Sequence, residues 1–384
     1  MNFEDEETHA DIREAVAVIT RSFGSSYYSD HAIRQESTEE LWRELGRQGF
    51  IGINLPEQYG GGGAGLAELA VVCEETAAQG SPLLLMLVSS AISGEVIARF
   101  GSDAQKELWL PRLASGESKV VFAITEPDAG SNTLNMSTTA VRDGDDWILN
   151  GTKYYISGVD EADAVLVVAR TGTDESTGKA LLSLFIVPTD AAGLSVQNLP
   201  VSASLPERQF TLFFDNLRLT GDKLVGNENE GFAQVFHGLN PERIVGAAIC
   251  VGVGRYALAK AAEYARTRRV WDVPIGSHQG ISHVLAKAKI EVELAALMTN
   301  KAAWQHDNAR PAGEASNMAK FAAADAATAA VDAAIQTHGG NGLSTEYGLI
   351  PLWGIVRLLR IAPVSREMVL NYVAQHTLGL PRSY

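Results

Sequence analysis

Residues 120–132, VVFAITEPDAGSN, decide how this chain is read. Val120–Thr125 is an apolar, β-branched run with the texture of a strand. It passes into Thr125-Glu126-Pro127-Asp128-Ala129-Gly130-Ser131-Asn132, where proline fixes the backbone and glycine frees it. Such a loop is rigid and can offer N–H groups and two hydroxyls to a ligand. Taken alone, an ordinary structural turn is the plainer reading.

The texture on either side gives the loop its setting. Up to about residue 118 the pattern is helical: apolar residues recur three and four apart over 7–23, 38–48, 66–79 and 83–100. Tyr59-Gly60-Gly61-Gly62-Gly63 interrupts it as a loop, and Asp103 reads as the N-cap of a helix ending at Ala114. From about 119 to 227 short strands alternate with turns. Thr138–Val141 and Trp147–Leu149 flank a hairpin signal at 142–146. Ala164–Ala169, Leu181–Val187 and Phe210–Phe214 are further strands, which suggests a small barrel or sandwich. Long helices return at 230–267, 278–308, 312–338 and 350–378, rich in alanine, and imply a four-helix bundle. The expected fold is therefore α+β: an N-terminal helical domain (1–118), a middle β-barrel domain (119–227) and a C-terminal four-helix bundle (228–384).

Bulk properties narrow the function. The chain has 384 residues, a formal net charge of −15 and no long Lys/Arg run, which argues against a nucleic-acid partner. Arg266, Arg268 and Arg269 form the strongest basic cluster, enough for one phosphate-bearing ligand. Cys73 and Cys250 sit in apolar helical contexts and show neither disulfide nor metal spacing, so no metal site is expected and a reducing, cytoplasmic setting is. The acidic start MNFEDEETHADIREAV reads as neither signal nor transit peptide. No run of about 18 or more apolar residues marks a membrane span.

Three more motifs carry chemical content. Asn150-Gly151 reads as a turn into the strand Thr152–Ser157, where alternation puts Tyr155 and Ser157 on one face. Arg268-Arg269-Val270-Trp271-Asp272-Val273-Pro274-Ile275-Gly276, with Gln279, joins two long helices with guanidinium, indole and amide groups. Arginine's planar fork suits a pyrophosphate. Gln336-Thr337-His338-Gly339-Gly340-Asn341-Gly342 closes a helix, and its glycines let a ligand approach backbone.

In this order and setting, the four motifs resemble the acyl-CoA dehydrogenase family over roughly residues 5–380, and Asn229-Glu230-Gly231-Phe232 and Glu242-Arg243 match it too. The resemblance implies a FAD enzyme acting on an acyl-CoA thioester. Phe122, Ile124, Thr125, Gly130 and Ser131 would line the flavin and its pyrophosphate, and Tyr155 and Ser157 would cover the ring's other side. Arg268, Trp271 and Gln279, with Gln336, Gly339 and Gly340, would hold the cofactor of a neighbouring subunit. Ser131 and Arg243 would face the substrate. A homotetramer, or dimer of dimers, and an electron-transfer flavoprotein as oxidant are implied as well.

The reaction so implied removes an α-proton to a carboxylate base and the β-hydrogen as hydride to the flavin. The base must be desolvated, and donors must hold the thioester oxygen. Many members carry the glutamate on the last long helix, where this chain has Ile361-Ala362-Pro363-Val364-Ser365 and so Pro363 at the glutamate's place. Branched-chain and some long-chain members place it on the first bundle helix, just before an arginine. Asn240-Pro241-Glu242-Arg243 offers that pair, and Glu242 is the candidate base. The bland alternative is a solvated Glu in the first turn of a helix starting at Asn240-Pro241. Pro363 also lacks the N–H that the family directs at the thioester oxygen. Either Val364 donates, or the register differs by one, or catalysis is weaker, one such donor being worth on the order of 10²-fold. Glu367, one turn beyond Pro363, reads by default as solvated or salt-bridged. Two other activities fit the same fold: a flavin monooxygenase or oxidase, and a non-catalytic subunit of a hetero-oligomer.

Overall fold

Apolar residues spaced three and four apart build the helices that open the chain. The computed structural model describes residues 7–382, so the acidic stretch 1–6, with its reading as neither signal nor transit peptide, lies outside the described residues. Helices α1 (Glu7–Ser22) and α3 (Glu39–Arg47) fall where the periodicity places them, with α2 (Tyr27–Arg34) between them. The glycine run is a loop, where a side chain at Gly62 would come within 2.7 Å of the Ile53 carbonyl oxygen. After α4 (Leu66–Ala78), the 83–100 segment is not a plain α-helix. It is a π-helix, Met86–Gly94, continuing as α5 (Glu95–Phe100). Helix α6 (Asp103–Ala114) is capped by Ser102 rather than Asp103. The Gln105 N–H donates to Ser102 Oγ at 3.2 Å, and the Ser102 N–H donates to Gln105 Oε1 at 3.0 Å. This reciprocal pair leaves Asp103 in the first turn, where the helix dipole favours it.

The middle of the chain is one eight-stranded sheet made of β1 (Val120–Ala123), β2 (Thr139–Asp143), β3 (Asp146–Ser157), β4 (Ala164–Thr173), β5 (Ala180–Pro188), β6 (Leu194–Asn198), β7 (Gln209–Leu219) and β8 (Leu224–Val225). Hydrogen bonding runs β6-β7-β3-β2-β4-β5-β8, with β1 parallel to β4, so the barrel-like unit is open at β6 and β8. The β2–β3 hairpin turns at Gly144-Asp145 as expected. Asn150-Gly151 does not turn. It is a bulge inside β3, where Gly151 has φ 146° and a Cβ would meet Thr138 Cα at 2.5 Å. Asn150 Oδ1 accepts from the Asn216 N–H at 2.8 Å, so a turn-forming amide is used across the sheet.

Long helices follow: α7 (Gly231–Thr267), then the hairpin β9 (Arg269–Val270) and β10 (Val273–Pro274), α8 (Gln279–Asp307), α9 (Gly313–His338), α10 (Leu349–Ile361) and α11 (Arg366–Tyr372). The helix start expected at Asn240-Pro241 lies well inside α7. An interior proline costs about 3 kcal/mol. Val235, Ile244, Val245 and Ile249 are buried on either side of it, each contributing roughly 1.5–3 kcal/mol, and this outweighs the cost. The helix expected over 350–378 is broken at 362–365, because Pro363 can neither donate nor continue the ladder. Helix α7 is long and apolar enough to cross a membrane, yet 78% of the qualifying window is buried inside the protein. Cys250 on α7 and Cys73 on α4 are free and buried, and burial pushes the Cys250 thiol up to about 12.

Small residues let α7 pass through the centre of the molecule. It packs on α4, α8, α9 and the π-helix. Gly252 lies against the backbone of α4 at Glu74 and Ala78, and Gly254 faces Val292 of α8 and Ala327 of α9. Alanine gains about 1 kcal/mol over glycine in a helix. At Gly252 the added methyl would meet α4 backbone, which cannot rotate away as a side chain could. Gly252→Ala should therefore destabilise the protein by about 1–3 kcal/mol, read as a lower urea midpoint at unchanged slope.

Candidate active site

The loop at 125–132 is held from beneath by a buried ion pair. Glu126 accepts hydrogen bonds from the Ser137 N–H at 2.6 Å, Ser137 Oγ at 2.8 Å and the Thr138 N–H at 3.0 Å. Lys153 on β3, fully buried, donates to Glu126 Oε1 at 2.9 Å and to the Ile124 carbonyl at 3.0 Å. Burial alone would raise the Glu126 carboxyl. The Lys153 charge and the hydrogen bonds outweigh it and hold the group at about 2. Lys153 is pulled down to about 8 by burial, with Glu126 opposing, and so stays charged at neutral pH. Glu126 belongs to the 125–132 motif and Lys153 to the strand Thr152–Ser157, and the sequence alone does not pair them. The available signal was a Glu just past an apolar strand and a Lys inside another strand.

This support fixes one group of expected site residues. Phe122, Ile124 and Thr125 lie on β1 and its end, and Gly130 and Ser131 are exposed on the loop. The Tyr154 N–H donates to the Thr125 carbonyl at 2.9 Å, which brings β3 alongside. Tyr155 is half exposed and held at φ 59° by the bulge between Lys153 and Ile156, a conformation unusual for an aromatic residue. Ser157 and Gln209 exchange hydrogen bonds at about 3 Å.

Beside the loop lies a cavity of about 240 Å³, mainly apolar, lined by Ile124, Ser131–Leu134 and Leu182, and by Phe232, Val235, Phe236 and Leu239 of α7. One further turn along that face of α7 comes Glu242. It is 8% exposed and has no hydrogen bond or ion pair among the described residues, so it is not the solvated first-turn glutamate of the bland alternative. Burial pushes its carboxyl up to about 8, although the charges of Arg243 and Lys320 act to lower it. Arg243 donates to Asn240 Oδ1 at 3.0 Å and leaves its buried Nε without a partner. Glu367 is exposed.

The remaining expected residues gather at the far end of α7. Arg268, Trp271 and Gln279 are exposed on the connection to α8, with Trp271 83% exposed at φ 49°. Buried His278 Nε2 beside them has no partner. Gln336, Gly339 and Gly340 are exposed at the end of α9. His338 stacks on Tyr264 at 4.3 Å, which joins this corner to the end of α7. From Leu239 to Arg268 is a helical path of about 40 Å at 1.5 Å per residue. These residues therefore lie at the opposite end of α7 from the β1 loop, so the structure does not bring the two groups together within one chain.

Known proteins share this architecture. The described family models are the acyl-CoA dehydrogenase N-terminal domain over residues 6–117, the middle domain over 121–217 and the C-terminal domain over 229–378. The acyl-CoA dehydrogenase FadE12 of Mycobacterium tuberculosis (strain ATCC 25618 / H37Rv) is 57% identical over 383 residues, covering 99% of this chain and 98% of the relative. A solved glutaryl-coenzyme A dehydrogenase with glutaryl-CoA superposes with a TM-score of 0.92 at 30% identity, covering 100% of this chain and 98% of that one. A FAD complex of PigA gives a TM-score of 0.92 at 26% identity, covering 99% and 100%.

The Glu126–Lys153 pair makes the loop's stability sensitive to acid. A carboxylate held at about 2 when folded, against 4.5 unfolded, stabilises fully above 4.5 and loses that contribution as pH falls toward 2. Lys153→Met should cost about 3–5 kcal/mol at neutral pH, because it strands a buried carboxylate. Urea unfolding from pH 7 down to pH 3 should show a steep acid loss in the native protein and a shallower one in the variant.

Proposed function

This chain belongs to the acyl-CoA dehydrogenase family and carries out FAD-dependent dehydrogenation of an acyl-CoA, and we propose that Glu242 is its catalytic base. One observation carries the reading: a buried carboxylate, free of any partner, stands one turn past the cavity on the cavity-facing side of α7. An ordinary structural carboxylate at this depth would be paired, because an unpaired buried charge is costly. Its absence of partners suits a group that must gain and lose a proton.

FAD, when bound, supplies the acceptor that takes the β-hydrogen with its electron pair. Phe122, Ile124, Thr125, Gly130 and Ser131 would hold it on one side and Tyr155 and Ser157 on the other. Glu242 takes the α-proton onto its carboxylate, so the substrate loses one proton and one hydride and leaves as the trans-2-enoyl thioester. Desolvation does the work of basicity here, since a carboxylate near 4.5 could not compete for so weakly acidic a proton. Arg243 orients the carboxylate's neighbourhood, and Ser131, which lines the cavity, is placed to meet the substrate. The thioester oxygen needs a donor that Pro363 cannot supply. The Val364 N–H, which has no acceptor among the described residues, fits that role. An electron-transfer flavoprotein is the proposed oxidant.

With Arg268, Trp271, Gln279, Gln336, Gly339 and Gly340 holding the cofactor of a neighbouring subunit, the chain would act as a homotetramer or dimer of dimers, and the surface of α8 supports an assembly. Ile290, Leu294 and Leu297 form an exposed apolar stripe at helical spacing, 61%, 61% and 46% exposed.

Two measurements test these readings. Glu242→Gln should bind FAD normally yet lose on the order of 10²–10⁴-fold in the rate of anaerobic flavin bleaching by acyl-CoA. In the native enzyme kcat/KM should rise with pH up to a limb near 8, where Glu242 ionises. Bleaching as fast as wild type in the variant would reject Glu242 as the base, and rapid peroxide formation in air would point to an oxidase. Separately, the pair Ile290→Glu and Leu294→Glu should reduce the mass measured by light scattering and lower the bound FAD together. Retained FAD in a dissociated chain would reject the shared site.

A further inference from the structure

The break between α10 and α11 is gripped from α9. Lys320, 2% exposed, reaches across from α9 and donates to the Arg360 carbonyl at 3.1 Å and to the Val364 carbonyl at 2.6 Å. One ammonium thus holds the chain on both sides of Pro363. Asp325, five residues along α9, does the same with side chains. Its Oδ1 accepts from Arg360 Nε at 2.6 Å and its Oδ2 from Arg366 Nε at 3.3 Å, while the Arg366 guanidinium lies 4.8 Å from the Phe321 ring. Ser365 caps α11 by accepting from the Met368 N–H at 3.2 Å. A break in a helix leaves carbonyls unpaired, and a buried one must find a donor. A surface loop would use water. This one uses a buried lysine, which is costly to place there and is pulled down to about 8 by burial while remaining charged at neutral pH.

The position of that lysine matters as much as its bonds. Glu242 and Arg243 of α7 both feel its charge. Two charges act on the Glu242 carboxylate, Arg243 of α7 and Lys320 of α9. Behind them, Lys320 meets the field of Cys250 and Asp325, Arg243 that of Tyr372, and Asp325 holds Arg360 and Arg366. The π-helix Met86–Gly94 on the other side of α7 carries no titratable group. Among these, Lys320 alone bonds the turn that contains Pro363 and Val364 and also acts on Glu242.

We propose that Lys320 is a positioning residue for the dehydrogenation: its ammonium fixes the Ile361–Ser365 turn, with the free Val364 N–H, against the Glu242 carboxylate, and its charge favours the ionised base. The inference rests on Glu242 being the base. A lysine with a purely structural task would steady the turn without touching the ionisation of Glu242.

The test uses the FAD-loaded enzyme with two readouts. Amide hydrogen exchange follows residues 360–366, and the pH dependence of anaerobic flavin bleaching follows the base. Lys320→Met should speed exchange in 360–366 while leaving β1–β5 unchanged. It should also move the acid limb to higher pH, since removing a nearby positive charge raises a carboxyl further. A displacement of one pH unit would be about a tenfold loss of rate below the limb. Lys320→Arg should restore both, and Lys320→Gln replaces the Met variant if that one is not recovered folded. Faster exchange with an unmoved limb, or an unmoved segment in the neutral variant, would overturn the positioning role. If Glu242→Gln bleaches at the wild-type rate, the base assignment fails on its own, separately from the exchange result.

Discussion

A single helix passing through dry interior sets the terms for this enzyme. Helix α7 is buried against α4, α8, α9 and the π-helix along most of its 37 residues, and glycine at 252 and 254 lets its neighbours close to backbone distance. Its central turns are largely buried. Any ionisable group placed there is shifted by desolvation before a specific partner is considered, and the sign of the shift is known in advance: acids go up and bases go down. Glu242 and Arg243 on α7 follow that rule, and so does Lys320, which faces them from α9. The basicity attributed to Glu242 is therefore a property of how α7 is packed, rather than of one neighbouring side chain.

The same residue type shows the opposite behaviour in the sheet domain. Glu126 is also buried, at 3% exposed, yet sits at about 2 where Glu242 sits at about 8. Burial raises both. Glu126 meets three donors from Ser137 and Thr138 and a full charge at 2.9 Å, and these outweigh desolvation. Glu242 meets two cations at longer range and no hydrogen bond, so desolvation wins. One carboxylate is locked as an anion that holds the loop in shape. The other is left close to the pH at which a proton can be exchanged. Two glutamates with divergent environments are a recurring way of dividing structural from proton-transfer work.

Much of this was legible in the residues, and the failures share a cause. The helix, sheet, helix order follows from periodicity, and the TEPDAGS loop, the arginine–tryptophan connection and the paired glycines mark the corners of the site. What periodicity cannot show is long-range competition. Asn150-Gly151 has the chemistry of a turn, but the Asn216 backbone and the crowding of Thr138 against Gly151 make it a bulge. Asn240-Pro241 has the chemistry of a helix start, but apolar burial on both sides carries α7 through it. Asp103 would serve as a cap, but Ser102 finds a reciprocal partner in Gln105. Lys153 and Glu126 are 27 residues apart, and only the folding of β3 beside β1 makes them a pair.

Pro363 brings these threads together. The side chain at this point has no carboxylate, and the backbone has no N–H, so two tasks that a glutamate there could perform must be met from other elements. Proline also ends α10, which exposes the Arg360 and Val364 carbonyls inside the protein. Satisfying them requires a donor from a neighbouring helix, and a cation does so more strongly than a neutral group. That cation then lies within the field of whatever carboxylate faces the cavity from α7. Glu242 on α7 has no hydrogen bond or ion pair among the described residues, and the lysine binds the two carbonyls. Gripping the break from α9 is thus a direct consequence of the proline, and the proposed base on α7 is compatible with it.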